Sequence, residues 1–278
     1  MRLTFENALG KAEMSGGGES GIRITAVSGL GMPSYERRTL TSYDFDGAVE
    51  SARKIPQRSI VVGGDIIGGT RKAQKLLKLL SEPCRMVVSC DSFEREIAVS
   101  ACEAEFTEQN GVYTKFALAL TCDDPYFYDA EPTQVGLYEK EKLITDETVL
   151  PAVFSIRKTS AKIDLCSDRE IEATFVILGK RIPDETEGKI VIENLTTGAV
   201  FTLLYVPSDG EIITIDMAER TITSDINGNL IEYISDDSFL SDLVIAKDGA
   251  ELTAIGYGAT GDISAYIIYR NKFIEATV

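Results

Sequence analysis

The clearest helix pattern of the chain follows a β-type segment within residues 58–83, RSIVVGGDIIGGTRKAQKLLKLLSEP. The spacing of apolar residues predicts a helix over about residues 70–81, with Pro83 at its exit. An apolar stripe on this helix should face inward, and it is formed by Ala73, Leu76, Leu77 and Leu80. Because an amphipathic helix must pack against another layer, the stretch predicts a first domain in which one helix covers a sheet.

Short segments rich in β-forming residues make up most of the first half. They are Gly21–Val27, Arg58–Val62, Arg85–Cys90, Glu96–Phe106 and Tyr113–Cys122. The last two are joined through Asn110–Gly111, a dipeptide that favours a tight hairpin turn. The fold class is therefore predicted to be mainly β, with an N-terminal β-sandwich-like domain that carries one α-helix.

The second half also reads as strands separated by turns, at intervals typical of a β-sandwich. The strand segments are Gly188–Val206 with a turn at Leu195–Gly198, Glu211–Asp225, Glu251–Gly258 and Ile263–Glu275. Pro125 and Pro132 bracket a domain exit, which predicts domains at residues 1–134 and 135–278. The sequence leaves open whether the final strand belongs wholly to the second domain or returns to the first.

Charge is distributed unevenly in this acidic chain. Lys and Arg number 28 against 44 Asp and Glu, a net charge of −16, of which residues 1–134 carry −4 and residues 135–278 carry −12. Because an acidic surface repels polyanions, we expect no specific nucleic-acid ligand. No apolar run approaches the roughly 20 residues that cross a bilayer, so we expect no membrane partner and synthesis in a cytoplasm.

Histidine and tryptophan are both missing from the sequence. Without histidine there is no Ser–His–Asp triad, no Cys–His pair and no HExxH zinc motif. The five cysteines are Cys84, Cys90, Cys102, Cys122 and Cys166. Because their number is odd and no two have CxxC spacing, we expect them to pack as small buried hydrophobic residues; the alternative is a zinc site with thiolate ligands. We therefore predict no catalytic residue, no metal ligand and no cofactor.

Several short motifs resemble ligand sites but fit turns better. Gly63–Gly68 has the spacing of a phosphate-binding loop, yet Gly69 stands where that loop needs lysine, so we expect a strand-to-helix turn. Asp123–Asp124 and Asp236–Asp237 should serve turns and caps, because neighbouring carboxylates in an extended segment point to opposite faces. Asp225–Asn229 resembles the start of a calcium loop, but its glycine falls at the wrong place, which favours a hairpin turn.

Two further features have ordinary structural interpretations. The basic helix face is expected to be solvated, because no aromatic platform accompanies Arg71, Lys72, Lys75 and Lys78. The aromatic cluster Tyr126–Tyr128 at the domain exit is expected to be buried against a domain or partner surface.

The segment DDPYFY at Asp123–Tyr128 is similar to the point where the distal tail proteins of siphoviruses and their prophage relatives leave their first domain. The sequence resembles this family over nearly the whole chain, in the order and spacing of its segments. The other matching segments are LTFEN (3–7), IRITAVSGLGMP (22–33), residues 58–83, VIENLTTGAVFTL (191–203), ITIDMAERTIT (213–223) and AYIIYRNKFIE (265–275).

This resemblance implies a non-enzymatic structural protein of the virion, made in the host bacterial cytoplasm and placed at the phage tail tip. Residues 1–134 would assemble into a hexameric ring, and residues 135–278 would form a galectin-like β-sandwich at its periphery. As a baseplate hub, the ring would join the tail tube protein to a tail-associated tip protein and to a receptor-binding protein. DNA would pass through its lumen.

Two other function classes stay open at this point. Sugar-binding galectins use His and a stacking Trp, and both are missing here, so the galectin-like label describes shape rather than activity. The alternative function is a carbohydrate-binding module that recognises host-surface glycans through Tyr and Asp side chains. A carboxylate-dependent glycosidase is the third hypothesis, and it would need two carboxylates roughly 5–10 Å apart in a cleft.

Overall fold

The structure, a computed structural model, describes residues 1–41, 43, 46–67, 70–110, 113–140, 157–158, 160–182, 186–260 and 263–277. The chain divides into two compact units, Met1–Ala130 with Lys272–Val278, and Glu131–Asn271. The described residues are mainly β, contain one α-helix and form sandwich-like units, which confirms the predicted fold class.

Among the described residues, the first unit contains eleven strands and the helix before the chain enters the second unit. They are β1 Arg2–Asn7, β2 Gly10–Ser15, β3 Ile22–Ser28, β4 Glu36–Leu40, β5 Val49–Lys54, β6 Arg58–Ile67, α1 Thr70–Leu80, β7 Cys84–Ser89, β8 Glu94–Val99, β9 Ala101–Asn110, β10 Tyr113–Cys122 and β11 Phe127–Asp129. Helix α1 and strand β10 match their predicted bounds within one residue. Strands β9 and β10 pair as the predicted hairpin, although Gly111 of its turn lies outside the described residues.

The second unit contains the next eleven strands and two short 3-10 turns. They are β12 Thr133–Lys140, β13 Arg157–Lys158, β14 Ala161–Ile163, β15 Thr174–Leu178, β16 Gly188–Asn194, β17 Ala199–Leu203, β18 Ile212–Asp216, β19 Thr221–Ser224, β20 Gly228–Asn229, the turns Ile231–Tyr233 and Leu240–Leu243, β21 Ala250–Gly258 and β22 Ser264–Tyr269. A last short strand, β23 Lys272–Phe273, belongs to the first unit.

Ten strands of the first unit form one hydrogen-bonded sheet, in the order β23-β11-β8-β7-β1-β2-β3-β6-β10-β9. Strands β8 and β9 are separated only by Ser100, yet they pair with different neighbours. Val99 lies opposite Cys84 of β7, whereas Ala101 lies opposite Thr121 of β10. One extended segment thus passes from one half of the sheet to the other, which folds the sheet round a common apolar core.

Helix α1 covers part of this core with its apolar stripe. Ala73, Leu76 and Leu80 are buried as predicted, but the prediction is wrong for Leu77, which is 40% exposed. Leu79 is buried in its place. The buried arc is centred on Leu76, and Leu77 lies about 100° further round the helix, so its side chain reaches solvent.

A buried arginine ties separate segments of the first unit together. Arg58 is 4% exposed, and its Nη1 donates to the carbonyl oxygens of Gly29 at 2.7 Å and Gly31 at 2.8 Å. Its Nε donates to the carbonyl oxygen of Pro125 at 2.7 Å, and Nη2 donates to that of Ile274. Burial lowers the pKa of Arg58, but these charge-assisted hydrogen bonds replace the lost hydration of the guanidinium.

The chain returns to the first unit at residue 272, which decides the question that the sequence left open. Strand β23 pairs with β11, and Arg95 stacks over the Phe273 ring at 3.8 Å. The Ala276 N–H donates to the carbonyl oxygen of Leu30 at 2.8 Å. The first unit therefore comprises residues 1–130 and 272–278, whereas the sequence placed a single division after residue 134.

Two antiparallel sheets form the second unit. Their strand orders are β13-β12-β22-β15-β18-β19-β20 and β14-β21-β16-β17. Phe175, Ile213 and Ile267 of the larger sheet share one buried core with Ile192 and Phe201 of the smaller sheet. Two sheets that enclose a common core make a β-sandwich, as the spacing of strands and turns predicts.

The predicted strand-to-helix turn at Gly63–Gly68 is wrong for its described part, because β6 runs on to Ile67. Gly64 lies inside this strand, opposite Phe116 of β10. A Cβ at Gly64 would overlap the Phe116 ring and the carbonyl oxygen of Arg23. Glycine therefore permits close packing between strands here. The last glycine of the motif lies outside the described residues.

Replacing Arg58 with methionine should lower the free energy of unfolding by about 3 kcal/mol or more, because buried carbonyl oxygens lose their donors. Arg37→Met is the matched control, since Arg37 lies on exposed strand β4 and its loss should change stability by less than about 0.5 kcal/mol. Urea unfolding at neutral pH measures both. Equal stability of the two variants would contradict the role assigned to Arg58.

Candidate assembly surface

Strands β4 and β5 form a separate two-stranded sheet, paired from Glu36 opposite Lys54 to Leu40 opposite Val49. Every residue of both strands is exposed. Leu40 is 59% and Val49 is 55% exposed, and Tyr43 between the strands is also fully exposed. A two-stranded hairpin on its own is marginally stable in water, so we expect another surface to cover this one.

The ion pairs of the hairpin do little to hold it. Lys54 lies 3.0 Å from Glu36, and Arg37 lies 4.0 Å from Glu50, with all four side chains solvent-exposed. Exposed pairs of this kind contribute about 0–1 kcal/mol each. The hairpin therefore lacks both a packed face and strong electrostatic support of its own.

This hairpin was missed by sequence reasoning, because neither strand alternates apolar and polar residues. Strands with both faces in solvent lose that periodicity. One signal was present in the dipeptide Asp46–Gly47, which favours a hairpin turn. Gly47 has a φ of 99°, a backbone conformation that favours glycine.

A groove of about 480 Å³ runs between strand β2 and helix α1. Ile22, Leu76 and Leu79 line it, and more of its surface is apolar than polar. Four lysines also line it: Lys11, Lys72, Lys75 and Lys78. Lys11 pairs with Glu13 at 3.0 Å, whereas the sequence of α1 contains no acidic residue. The basic helix face, predicted to be solvated, is one wall of this groove.

The cysteines offer little nucleophilic chemistry. Burial raises the pKa of the Cys84 and Cys102 thiols to about 11 and that of Cys122 to about 12. Thiols with such pKa values are poor nucleophiles near neutral pH. Cys84 and Cys122 are buried as predicted and Cys90 and Cys102 partly so, but the prediction is wrong for Cys166, which is exposed in the loop after β14.

No group of three or more Asp, Glu or Cys residues is arranged to hold a metal ion in the part of the chain that the structure describes. The acidic motifs serve turns, as predicted. Asp124 accepts hydrogen bonds from the Tyr126 N–H at 3.1 Å and the Tyr128 hydroxyl at 2.6 Å. Asp236–Asp237 is an exposed turn, and Asp225–Asn229 contains the turn between β19 and β20.

The aromatic cluster at the end of the first unit packs against the returning chain. Phe127 is fully buried and lies opposite Phe273 of β23. Lys272 lies over the Tyr126 ring at 4.6 Å. Phe127 is thus buried against its own unit, one of the two possibilities that the sequence left open, whereas Tyr126 and Tyr128 are half-buried.

Glu211 of the second unit is 0% exposed and accepts several hydrogen bonds. The Tyr205 hydroxyl donates to its Oε1 at 2.6 Å and the Ser208 N–H to its Oε2 at 2.7 Å. Ser224 and Asn227 side chains donate as well. Burial alone would raise the pKa of Glu211, but these hydrogen bonds outweigh it and the pKa is lowered. The carboxylate joins two loops of the sandwich and is closed to substrates.

Solved structures of phage tail proteins share this fold. The chain is similar to the Dit protein of phage SPP1, which is described as a paradigm of the hub adsorption apparatus of phages that infect Gram-positive bacteria. The two sequences are 16% identical, and the structures match with a TM-score of 0.65 over 98% of this chain and 99% of that one. The chain has the distal tail protein fold. It is also similar to a chain of the phage p2 baseplate in its activated conformation with strontium, at 14% identity and a TM-score of 0.55, covering 99% of this chain and 100% of that one.

A second structure of the p2 baseplate, in its activated conformation with calcium, contains a chain that matches at 14% identity and a TM-score of 0.54, with 99% of each chain covered. No protein-family model matches the sequence, and no curated protein sequence does either. At such identities the likeness establishes the distal tail protein fold. The described helices include none long and apolar enough to span a membrane.

The Glu211 network predicts a loss of stability in acid. Because the pKa of Glu211 is lowered in the folded protein, its stabilising contribution is present above the unfolded pKa of about 4.3 and is lost as the pH falls through the folded value. Glu211→Gln should be less stable than wild type at pH 7, and the difference should shrink towards pH 3. Urea unfolding across this range measures it.

The matched control is Glu219→Gln, which changes an exposed carboxylate of the same unit. Its difference from wild type should stay within about 0.5 kcal/mol throughout. A Glu211→Gln difference that stays constant between pH 7 and pH 3 would show that ionisation of Glu211 does not stabilise the fold.

Proposed function

We propose that this chain is a structural protein that forms a ring at the distal end of a phage tail and acts there as a hub. The observation that carries the proposal is the fold shared with SPP1 Dit over 98% of the chain. The likeness to a chain of the p2 baseplate supports it. In this role the ring joins the tail tube protein to a tip protein and to a receptor-binding protein, and the protein resides in the virion.

The exposed β4–β5 hairpin supports assembly with further copies. Its described residues include the exposed apolar side chains of Leu40, Tyr43 and Val49. A contact between a projecting element and a different surface of the next copy is a head-to-tail contact. Such contacts close into a ring when the rotation between copies divides a full turn, and six copies is the number that the family resemblance implies.

Charge favours the first unit as the part that forms the ring. Residues 135–278 carry −12 and repel copies of themselves, whereas residues 1–134 carry only −4 and mix both signs. The ring-forming part also includes residues 272–278, because Arg58 and Arg95 donate to carbonyl oxygens of Ile274 and Glu275. The second unit would then lie at the periphery as a galectin-like sandwich without enzymatic activity.

Binding of host-surface glycans is the second candidate function, and one surface of the second unit favours it. Tyr257 is 46% exposed in an open depression that Glu187 and Lys189 also line. Lys189 lies 5.7 Å from the centre of the Tyr257 ring. An exposed aromatic face beside charged groups is a surface on which a sugar ring could stack.

We predict that the protein binds lactose negligibly, because the His and Trp of galectin sugar sites are missing from the sequence. Isothermal titration calorimetry with the whole chain measures this. A dissociation constant of about 1 mM or tighter, abolished by Tyr257→Ala, would favour the glycan-binding function instead.

Shortening the hairpin should prevent assembly and leave the fold intact. In this variant an Asn-Gly turn replaces residues 38–52, and it joins Arg37 to Arg53, which pair across the hairpin. The strand residues removed are exposed, so the free energy of unfolding should change by less than about 0.5 kcal/mol. Light scattering of concentrated samples should show rings for wild type and monomers for the variant.

Tyr257→Ala serves as the control, because it removes an exposed aromatic side chain of the second unit and should leave the ring mass unchanged. Assembly of the shortened variant at the same concentrations as wild type would rule out the hairpin as a ring contact.

A further inference from the structure

We propose that the groove between β2 and α1 receives the distal half of the β4–β5 hairpin from a second copy of this chain. The inference rests on the proposed ring and names the two surfaces that meet in it. The two surfaces are complementary in both hydrophobicity and charge.

The distal half of the hairpin is acidic and apolar. Residues 39–50 contain three acidic residues and no basic one, whereas the four basic residues of the hairpin all lie nearer its base. Leu40, Tyr43 and Val49 in the distal half are exposed, as is Asp46. The distal half therefore combines an acidic sequence with the exposed apolar side chains of Leu40, Tyr43 and Val49.

The groove offers the opposite charge around an apolar floor. Lys72, Lys75 and Lys78 lie on its helical wall, whereas Lys11 and Glu13 lie on β2 and pair with each other, so the excess positive charge comes from the helix. Within the described part of the chain, neither Lys75 nor Lys78 forms an ion pair. Its volume of about 480 Å³ is that of a pocket able to hold several side chains.

The described residues of the hairpin do not occupy the groove of their own copy. Every residue of β4 and β5 is exposed, and Leu9 at the groove remains 52% exposed. Copies of a chain with a net charge of −16 repel each other at long range. Local contacts between opposite charges therefore determine the orientation in which two copies dock. The contact between a basic groove and an acidic hairpin tip brings opposite charges together in this way. Because it joins two different surfaces, it orients every copy in the same direction round the ring.

Cross-linking between copies tests the proposal. A Tyr43→Cys, Lys75→Cys variant in a Cys166→Ser background places one thiol on the hairpin and one in the groove. A short bis-maleimide applied to concentrated whole protein should give a ladder of covalent oligomers up to the ring size. Mixing the two single variants should give covalent dimers only, because each copy then supplies one half of the contact.

The matched control replaces Lys75→Cys with Lys189→Cys, an exposed lysine of the second unit, and should give no ladder. Light scattering of the same samples reports the ring separately. Rings without a ladder, or cross-links only within one copy, would overturn this inference and leave the proposed function standing. Absence of rings under all conditions would overturn both.

A charge exchange gives a second readout. Lys75→Glu with Lys78→Glu should raise the concentration needed for assembly by about tenfold or more, because like charges then face each other. Adding Asp46→Lys to this variant should recover part of the loss, whereas Asp46→Lys alone should weaken assembly. Equal assembly of all these variants would overturn the inference.

Discussion

The first unit depends on one buried guanidinium. Arg58 lies at the start of β6 and holds backbone carbonyl oxygens from the loop after β3, from Pro125 and from Ile274. A buried cation is costly unless its donors are satisfied, so these three segments must come together for the core to be stable. The return of the chain after the second sandwich satisfies this constraint, because residues 272–278 supply one of the acceptors, and the first unit is therefore not one continuous segment.

Each unit buries an apolar core, and the hairpin and the groove of the first unit leave apolar surface accessible. The described residues of the β4–β5 hairpin have no packed face, and the groove beside α1 combines an apolar floor with Lys75 and Lys78, which form no ion pair within the described part of the chain. By contrast, hydrogen-bond donors surround the buried Glu211 carboxylate, and burial raises the pKa of the Cys84 and Cys122 thiols. Accessible apolar surface beside lysines is consistent with the hub role proposed from the fold.

Local periodicity made much of the fold predictable. The helix and most strands follow from the spacing of apolar residues. The predicted stripe of α1 includes Leu77, whereas Leu79 is the buried residue, because the same apolar spacing fits two neighbouring arcs of the helix surface. The hairpin could not be predicted because its exposed strands carry no alternation of apolar and polar residues, and the return of β23 stayed an open alternative because two residues give no pattern. The groove could not be predicted at all, since the lysines of α1 and Lys11 are joined only by tertiary packing.

The central claim is that copies of this chain close into a ring through their first units. Electron microscopy of the concentrated whole chain, alone and mixed with the tube protein of the same tail, tests it most directly. The account predicts closed rings of six copies, with each hairpin crossing to its neighbour. Particles that remain monomeric in both samples, or rings in which the second units make the contacts, would contradict it.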